Sequence, residues 1–225
     1  MKTLLLCCVY FGLSNQFLDK DYCAEEKKMI QQGLVDIQTI DPSVLVELKY
    51  STTDNFMKKD VYGAISHCFL QKMAAQKLKK ASQILQAQYP DLRLLVYDGA
   101  RSRTVQYKLW NALPQLSTKN RKNYVADPAI GSIHNYGCAI DLTLANTLGQ
   151  ALDMGTPYDF FGPLAYPRLE NLMLVSKKLS QKQLDNRKIL RQAMTQAGFM
   201  PITSEWWHFN ALSRNQARQQ YTLIE

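Results

Sequence analysis

The sequence predicts an α+β fold, a single domain in which a mainly antiparallel sheet packs against helices. Three observations carry that expectation. Helical and strand patterns are interspersed without the strict βαβ alternation of a parallel sheet. No Gly/Ser-rich or Pro-rich linker and no internal repeat divides the chain. With 225 residues, 46% of them hydrophobic and 20% charged, the chain has the size and composition of one soluble globular core. That composition excludes a disordered chain and a multispanning membrane protein.

The chain opens with Lys2 ahead of the apolar run Thr3 to Leu13 (TLLLCCVYFGL), with small residues at Gly12 and Ser14. This pattern reads as a short secretory signal over residues 1–14, leaving 15–225 as the mature domain. The run is shorter than the roughly 20 apolar residues of a bilayer span. Cys7 and Cys8 lie inside it, not at a lipoprotein cleavage position. The expectation is a periplasmic or secreted protein with no stable membrane anchor; the alternative is a buried N-terminal strand in a cytoplasmic protein. Cys23 and Cys68 could pair in an oxidising compartment, and no CxxC or other metal spacing joins the five cysteines.

Val44 to Lys49 (VLVELK) alternates as an edge strand does, and Asp54-Asn55 opens a turn before Gly63. From Leu70 to Tyr89 the residues Leu70, Met73, Ala74, Leu78, Ala81 and Leu85 follow the helical period until Pro90 stops it. Leu92 to Val96 reads as a buried strand whose exit, Tyr97-Asp98-Gly99, delivers Arg101. A helix is expected over Thr104 to Ala112. GSIHNYGCAIDLTL (Gly131 to Leu144) starts as a loop and becomes a strand, with Ala139, Asp141 and Thr143 on one face and Ile140, Leu142 and Leu144 on the other. Asp185 to Ala197 has helical spacing and a terminating Gly198, and a last strand is expected around Trp206 to Phe209.

Lys and Arg total 27 against 19 Asp and Glu, a net charge of +8. The excess is scattered, its densest pieces being Lys77 with Lys79 and Lys80, and Lys119 to Lys122. Without interleaved aromatics or a zinc-finger, RNP or basic-zipper motif, this is a solvated basic surface and no nucleic-acid site. A basic face also suits anionic cell-wall polymers or substrates.

Only three histidines are present, and two, His134 and His208, sit beside acids. His134 and Asp141 are seven apart, which would place them on opposite faces of one straight strand, so Gly137 must supply a bend or bulge. Glu205 and His208, three apart, need a local turn for the same reason. Two histidines and a carboxylate (His134, Asp141, His208) form a common zinc set that leaves a fourth position for water. Glu205 fits a general base beside it, and Arg101 an oxyanion stabiliser. On spacing alone, two satisfied core histidines near unrelated acids explain the pattern equally well. His67 and Cys68, just ahead of a helix, read as structural, and Trp206 and Trp207 as packing residues, one under the site and one pointing away.

SIHNYGCAID (Ser132 to Asp141) resembles the SxHxxGxAxD zinc motif of the D-alanyl-D-alanine dipeptidases, and EWWH (Glu205 to His208) resembles their ExWH motif. That family includes the vancomycin-resistance dipeptidase and belongs to a group of zinc peptidases sharing a fold with Hedgehog and D,D-carboxypeptidases. KYSTTDNF (Lys49 to Phe56), YDGAR (Tyr97 to Arg101), MGTPYDFF (Met154 to Phe161) and NRKILRQAM extend the likeness over roughly residues 33–209. The resemblance implies one zinc per chain on His134, Asp141 and His208, Glu205 as base and Arg101 as carbonyl polariser. It also implies Tyr50, Ser132 and Asp159 around the substrate, with Asp159 the ionic partner of its free ammonium. A small D,D-dipeptide is the implied partner. A D,D-carboxypeptidase acting on stem peptides, or a zinc module without catalysis, are the rival readings; Asp159 with Tyr50 opposes the first and Glu205 the second. One departure is DGARS at 98–102, where the family has DGYRP, losing an aromatic and a proline beside the arginine.

Overall fold

The computed structural model describes residues 21–122 and 124–225. The proposed signal, residues 1–14, lies outside them. In chain order the elements are α1 (Ala24–Gln31), β1 (Leu34–Asp36), the single turn α2 (Ile37–Ile40), β2 (Leu45–Val46), β3 (Phe69–Gln71), α3 (Lys72–Gln88), β4 (Leu92–Asp98), α4 (Arg103–Asn111) and α5 (Thr118–Arg121). There follow β5 (Ala139–Asn146), α6 (Glu170–Val175), α7 (Gln181–Gln196), β6 (Met200–Pro201), β7 (His208–Asn210) and α8 (Arg214–Gln220). No helix among the described residues is long and apolar enough to cross a membrane.

The main sheet has five strands in the order β2-β4-β5-β7-β6. Only the edge pair β2/β4 is parallel; the other three pairings are antiparallel. β1 and β3 form a separate antiparallel pair. The expected α+β architecture is therefore present. Ile140, Leu142 and Leu144 are fully buried on one face of β5, in a core they share with α3 residues Ala74, Leu78, Ala81 and Leu85 and α7 residues Leu190 and Met194. Truncating one of these leucines to alanine costs about 2–5 kcal/mol, because the removed methylenes leave a cavity that surrounding elements fill only in part.

Differences from the sequence reading are local. The helix expected from Leu70 begins at Lys72, because Phe69–Gln71 pairs with Leu34–Asp36 and Leu70 is buried as a strand residue. The helix expected from Asp185 begins at Gln181, where Ser180 and Gln183 form a reciprocal capping box. The edge strand over 44–49 shrinks to Leu45–Val46, since the chain curls into a 3₁₀ turn at Lys49–Ser51. The last strand is His208–Asn210, one residue beyond the expected end, with Trp206 and Trp207 in the bend before it. Cys23 and Cys68 are both free thiols, so that possible disulfide is not formed. Cys23 sits at the N-cap of α1 while Cys68 is buried.

Strand register is what builds the site. Asp141 of β5 lies opposite His208 of β7 on one side and Asp98 of β4 on the other. The β4/β5 pairing slips between Val96 and Asp98, leaving Tyr97 as an extra residue in a bulge. Without that bulge Tyr97 would oppose Asp141 and Asp98 would turn to the other face. Three polar side chains thus stand in one row across three strands.

Candidate active site

His134 reaches this row from outside the sheet. It belongs to a 3₁₀ turn, Ile133–Tyr136, opened by Ser132, whose Oγ accepts from the His134 amide at 3.3 Å. Gly137 ends the turn at φ 65°, a left-handed conformation that favours glycine, and the chain then enters β5. The odd spacing of His134 and Asp141 is resolved by this turn. Glu205 likewise lies outside β7, in the bend before it.

His134 Nε2, His208 Nδ1 and Asp141 Oδ1 converge: the separations are 3.2 Å between the two nitrogens, and 3.4 Å and 2.9 Å from them to the oxygen. Donors placed about 2.0–2.1 Å from a tetrahedral zinc lie roughly 3.3 Å from one another, so the set has the size of a zinc site. The outward nitrogens strengthen the case. His134 Nδ1 donates to the Gly99 carbonyl at 2.7 Å, and His208 Nε2 to Asn210 Oδ1 at 2.8 Å. With each ring's proton committed outward, two lone pairs and a carboxylate oxygen face one another with no hydrogen between them. Such a cluster calls for a cation. Gly99 is a glycine for steric reasons: a Cβ there would meet Phe69 O at 2.8 Å and collide with Cys68 Sγ. Burial opposes ionisation of Asp141; in the absence of a cation it is the protonated forms of His134 and His208 that hold its carboxyl well below the ordinary range, taking the cation's part.

Arg101 is buried behind this cluster. Its Nε and Nη2 donate to Asp98 Oδ2, the former at 3.0 Å, and Nη1 donates to Gln106 Oε1 at 3.0 Å. Tyr62 donates to the other oxygen of Asp98. Burial works against the guanidinium, but Asp98 outweighs it and keeps the charge. Three of its five N–H groups are engaged, leaving two. The Tyr50 ring lies beside the guanidinium, its centroid 5.1 Å from the guanidinium carbon. Ser102, where the family has proline, caps α4 by accepting from the Val105 amide.

His134, Asp141, His208 and Arg101 line a cavity of about 580 Å³, together with Tyr50, Ser132, Asp159, Glu205 and Trp207. All eight residues singled out in the sequence are brought to it. Glu205 Oε2 is 3.9 Å from His208 Nδ1. Burial, reinforced by Asp141 and Asp159, raises its carboxyl to about 7 against the pull of His208. Asp159 accepts a 3.0 Å hydrogen bond from the Tyr50 hydroxyl, and burial followed by Asp141 raises it to about 8. Tyr158 donates to Asp141 Oδ2 at 2.9 Å. Trp207 faces the cavity while Trp206 turns away, donating from Nε1 to Thr156. His67 is engaged with Glu26 at 3.0 Å, remote from this cluster's contacts, and has a structural part.

Asp98, Gln106, Tyr158 and Asn210 were not singled out in the sequence. Asp98 stood inside YDGAR and was readable only as a turn signal; the bulge that turns it inward leaves no compositional mark. Asn210 follows His208 by two, so strand parity would have put both on one face.

An open His/Asp/His donor set faced by a carboxylate and an arginine is the arrangement of a metal-dependent hydrolase. The family model of the M15 peptidases described as D-Ala-D-Ala dipeptidase matches residues 30–224. The D-alanyl-D-alanine dipeptidase of Escherichia coli (strain K12) is 37% identical over 176 residues, covering 78% of this chain and 83% of its own. That of Enterococcus faecium is 30% identical, covering 79% and 90%, and that of Enterococcus faecalis 28%, covering 81% and 93%. Among solved structures, the LdcB LD-carboxypeptidase matches at 16% identity and a TM-score of 0.44, covering 83% of this chain and 71% of that one. The D,D-pentapeptidase VanY matches at 12% and 0.41, covering 71% and 80%. The chain belongs to the D-Ala-D-Ala dipeptidase family of M15 peptidases.

Proposed function

We propose that this protein is a zinc-dependent dipeptidase that hydrolyses D-alanyl-D-alanine, or a close D,D relative, to free amino acids in cell-wall peptide turnover. The observation that carries the reading is the convergence of His134 Nε2, His208 Nδ1 and Asp141 Oδ1 at 2.9–3.4 Å in a cavity that also holds Glu205, Arg101 and Asp159. His134 Nε2, His208 Nδ1 and Asp141 Oδ1 would hold one zinc per chain, and zinc there supplies Lewis-acid activation of water and of the scissile carbonyl.

Glu205 takes a proton from the attacking water and returns it to the leaving amine. In the metal-free protein burial raises this carboxyl above the ordinary range, which favours its holding the proton between the two transfers. Arg101, fixed by Asp98 and Gln106, directs its two uncommitted N–H groups to the oxygen that gains negative charge as the amide carbonyl is attacked. Asp159, backed by Tyr50, meets the substrate's ammonium, and the Ser132 hydroxyl lines the same pocket. The cavity is larger than two alanines fill, which favours a second reading, a D,D-carboxypeptidase that admits a stem peptide. Asp159, placed to meet an ammonium, opposes it, because a stem peptide presents an amide there. For location, we propose cleavage near Ser14 and export of residues 15–225 to the periplasm or medium.

Incubating the mature protein with D-alanyl-D-alanine, its L,L counterpart and a stem pentapeptide tests the reading. Cleavage of the first alone is expected. Preference for the pentapeptide identifies a carboxypeptidase, and no turnover of any of the three identifies a non-catalytic module.

A further inference from the structure

Residues 153–161, which include the MGTPYDFF motif, bring Asp159 and Phe161 to the cavity and are held from behind. Gln183 donates to Asp153 Oδ2 at 2.7 Å and Asn186 to its carbonyl at 2.9 Å. Arg187, 1% exposed, donates to the Met154 carbonyl at 2.7 Å and, from its other end, to Leu164 O at 3.1 Å. Asn186 and Arg187, which open the NRKILRQAM motif of α7, thereby fasten this loop. Trp206 clamps it a second time through Thr156 at 2.8 Å.

At the tip, Asp159 has φ 58°, a left-handed conformation that non-glycine residues adopt only when their surroundings impose it. In extended chain, consecutive side chains diverge. Here both side chains bond to residues of the site: Asp159 accepts from Tyr50, and Tyr158 donates to Asp141 Oδ2. The Tyr158 ring is fixed among Tyr50, Tyr97 and Trp207, with ring centroids at 6.0, 5.4 and 5.6 Å.

We infer that Tyr158 is a positioning residue of the metal centre, whose hydroxyl holds the outer oxygen of Asp141 so that the carboxylate offers Oδ1 alone to the ion. Among the described residues no other side chain donates to that oxygen: Arg101 Nη2 stands at 4.0 Å and is already bonded to Asp98. Freed of the hydroxyl, the carboxylate can rotate and present both oxygens, which changes coordination number and loosens the set. Outer hydrogen bonds of this kind are typically worth 10- to 100-fold in metal affinity. The inference rests on the metal reading of the cluster and is independent of the substrate.

The test compares the unmutated mature protein with Tyr158→Phe and Tyr158→Leu, measuring zinc affinity by competition with a chromogenic chelator and the visible spectrum of the cobalt(II) form. Tyr158→Phe keeps the ring contacts and removes only the hydroxyl. The expected result is zinc binding weakened about 10- to 100-fold in both variants, with weaker, shifted cobalt bands as the coordination number rises. Zinc affinity and cobalt spectrum unchanged in Tyr158→Phe would overturn the inference. Weakening confined to Tyr158→Leu overturns it as well, because the ring and not the hydroxyl would then matter. Unmutated protein that takes up no zinc sinks the metal reading itself, a different failure from zinc uptake indifferent to the hydroxyl.

Discussion

Acetylating the amino group of D-alanyl-D-alanine removes the one charge that Asp159 is placed to meet. Among the described residues Asp159 accepts a single hydrogen bond, from Tyr50 to Oδ2, so Oδ1 is open to an incoming ammonium. Losing one member of a buried ion pair costs about 3–5 kcal/mol, or roughly two to four orders of magnitude in the relevant constant. Proton linkage places the effect at the lower end at neutral pH. Burial and Asp141 raise Asp159 to about 8, so at pH 7 roughly a tenth of the protein has the carboxylate ready, and each further unit of acidity costs about 1.4 kcal/mol. The ratio of kcat/KM for the free to the acetylated dipeptide is therefore expected to be on the order of ten- to several-hundredfold at pH 7. It should climb with pH on the acid side and fall above about 8, where the α-amino group loses its proton. A bound dication lowers the Asp159 value and moves the climb to lower pH. Glu205 acts on both substrates and cancels in the ratio. Steady-state kinetics from pH 5 to 9, with and without Asp159→Asn, read all of this, and the variant should narrow the gap by slowing the free dipeptide most. Equal rates on the two substrates in the unmutated protein would overturn the dipeptidase assignment while leaving the metal site standing. A large ratio that Asp159→Asn leaves unchanged would show that another group binds the ammonium.

His134→Ala and His208→Ala should each abolish stoichiometric zinc, read by elemental analysis of dialysed protein; metal-free protein that is fully active would count decisively against the donor set. Glu205→Ala should keep its zinc and lose turnover by a factor on the order of 10² to 10⁴, and near-normal turnover would mean a different base. In the metal-free protein the raised Asp159 carboxyl adds stability that is full below about pH 4 and is lost as pH rises toward 8, so Asp159→Asn should flatten the fall in melting temperature between pH 5 and 8; parallel profiles would disprove the linkage. Intact-mass measurement of protein from its native host should find a chain beginning near Ser14, and a cytoplasmic chain retaining residues 1–14 would refute export.

The long periodic segments were legible because their cores are regular. The α3 spacing and the alternation of Ile140, Leu142 and Leu144 each reflect one buried face, and burial selects residue type at every turn or every second residue. Short elements carried no such record: β1 and β3 have three residues each, β6 two, and none is long enough to show a period. The first turn of α7 was missed for a different reason. Its signal was a capping box at Ser180 and Gln183, not apolar spacing, and the reading began where the apolar spacing began.

For the site, residue types were legible and their mutual arrangement was not. His134, Asp141, Glu205 and His208 stand out because histidine is scarce here, but sequence parity argued against each pair meeting. Three backbone irregularities reconcile them: the 3₁₀ turn closed by Gly137, the bulge at Tyr97 that turns Asp98 inward, and the left-handed Asp159. Only the first is marked by a glycine. The other two are imposed by tertiary contacts, Asp98 by Arg101 and Tyr62, and Asp159 by the loop that Arg187 and Asn186 fasten to α7. The regular sheet supplies a row of positions, while these departures from regularity decide which side chains occupy it. Residues away from the cavity, such as Asn186 and Arg187, thereby bear on which side chains line it.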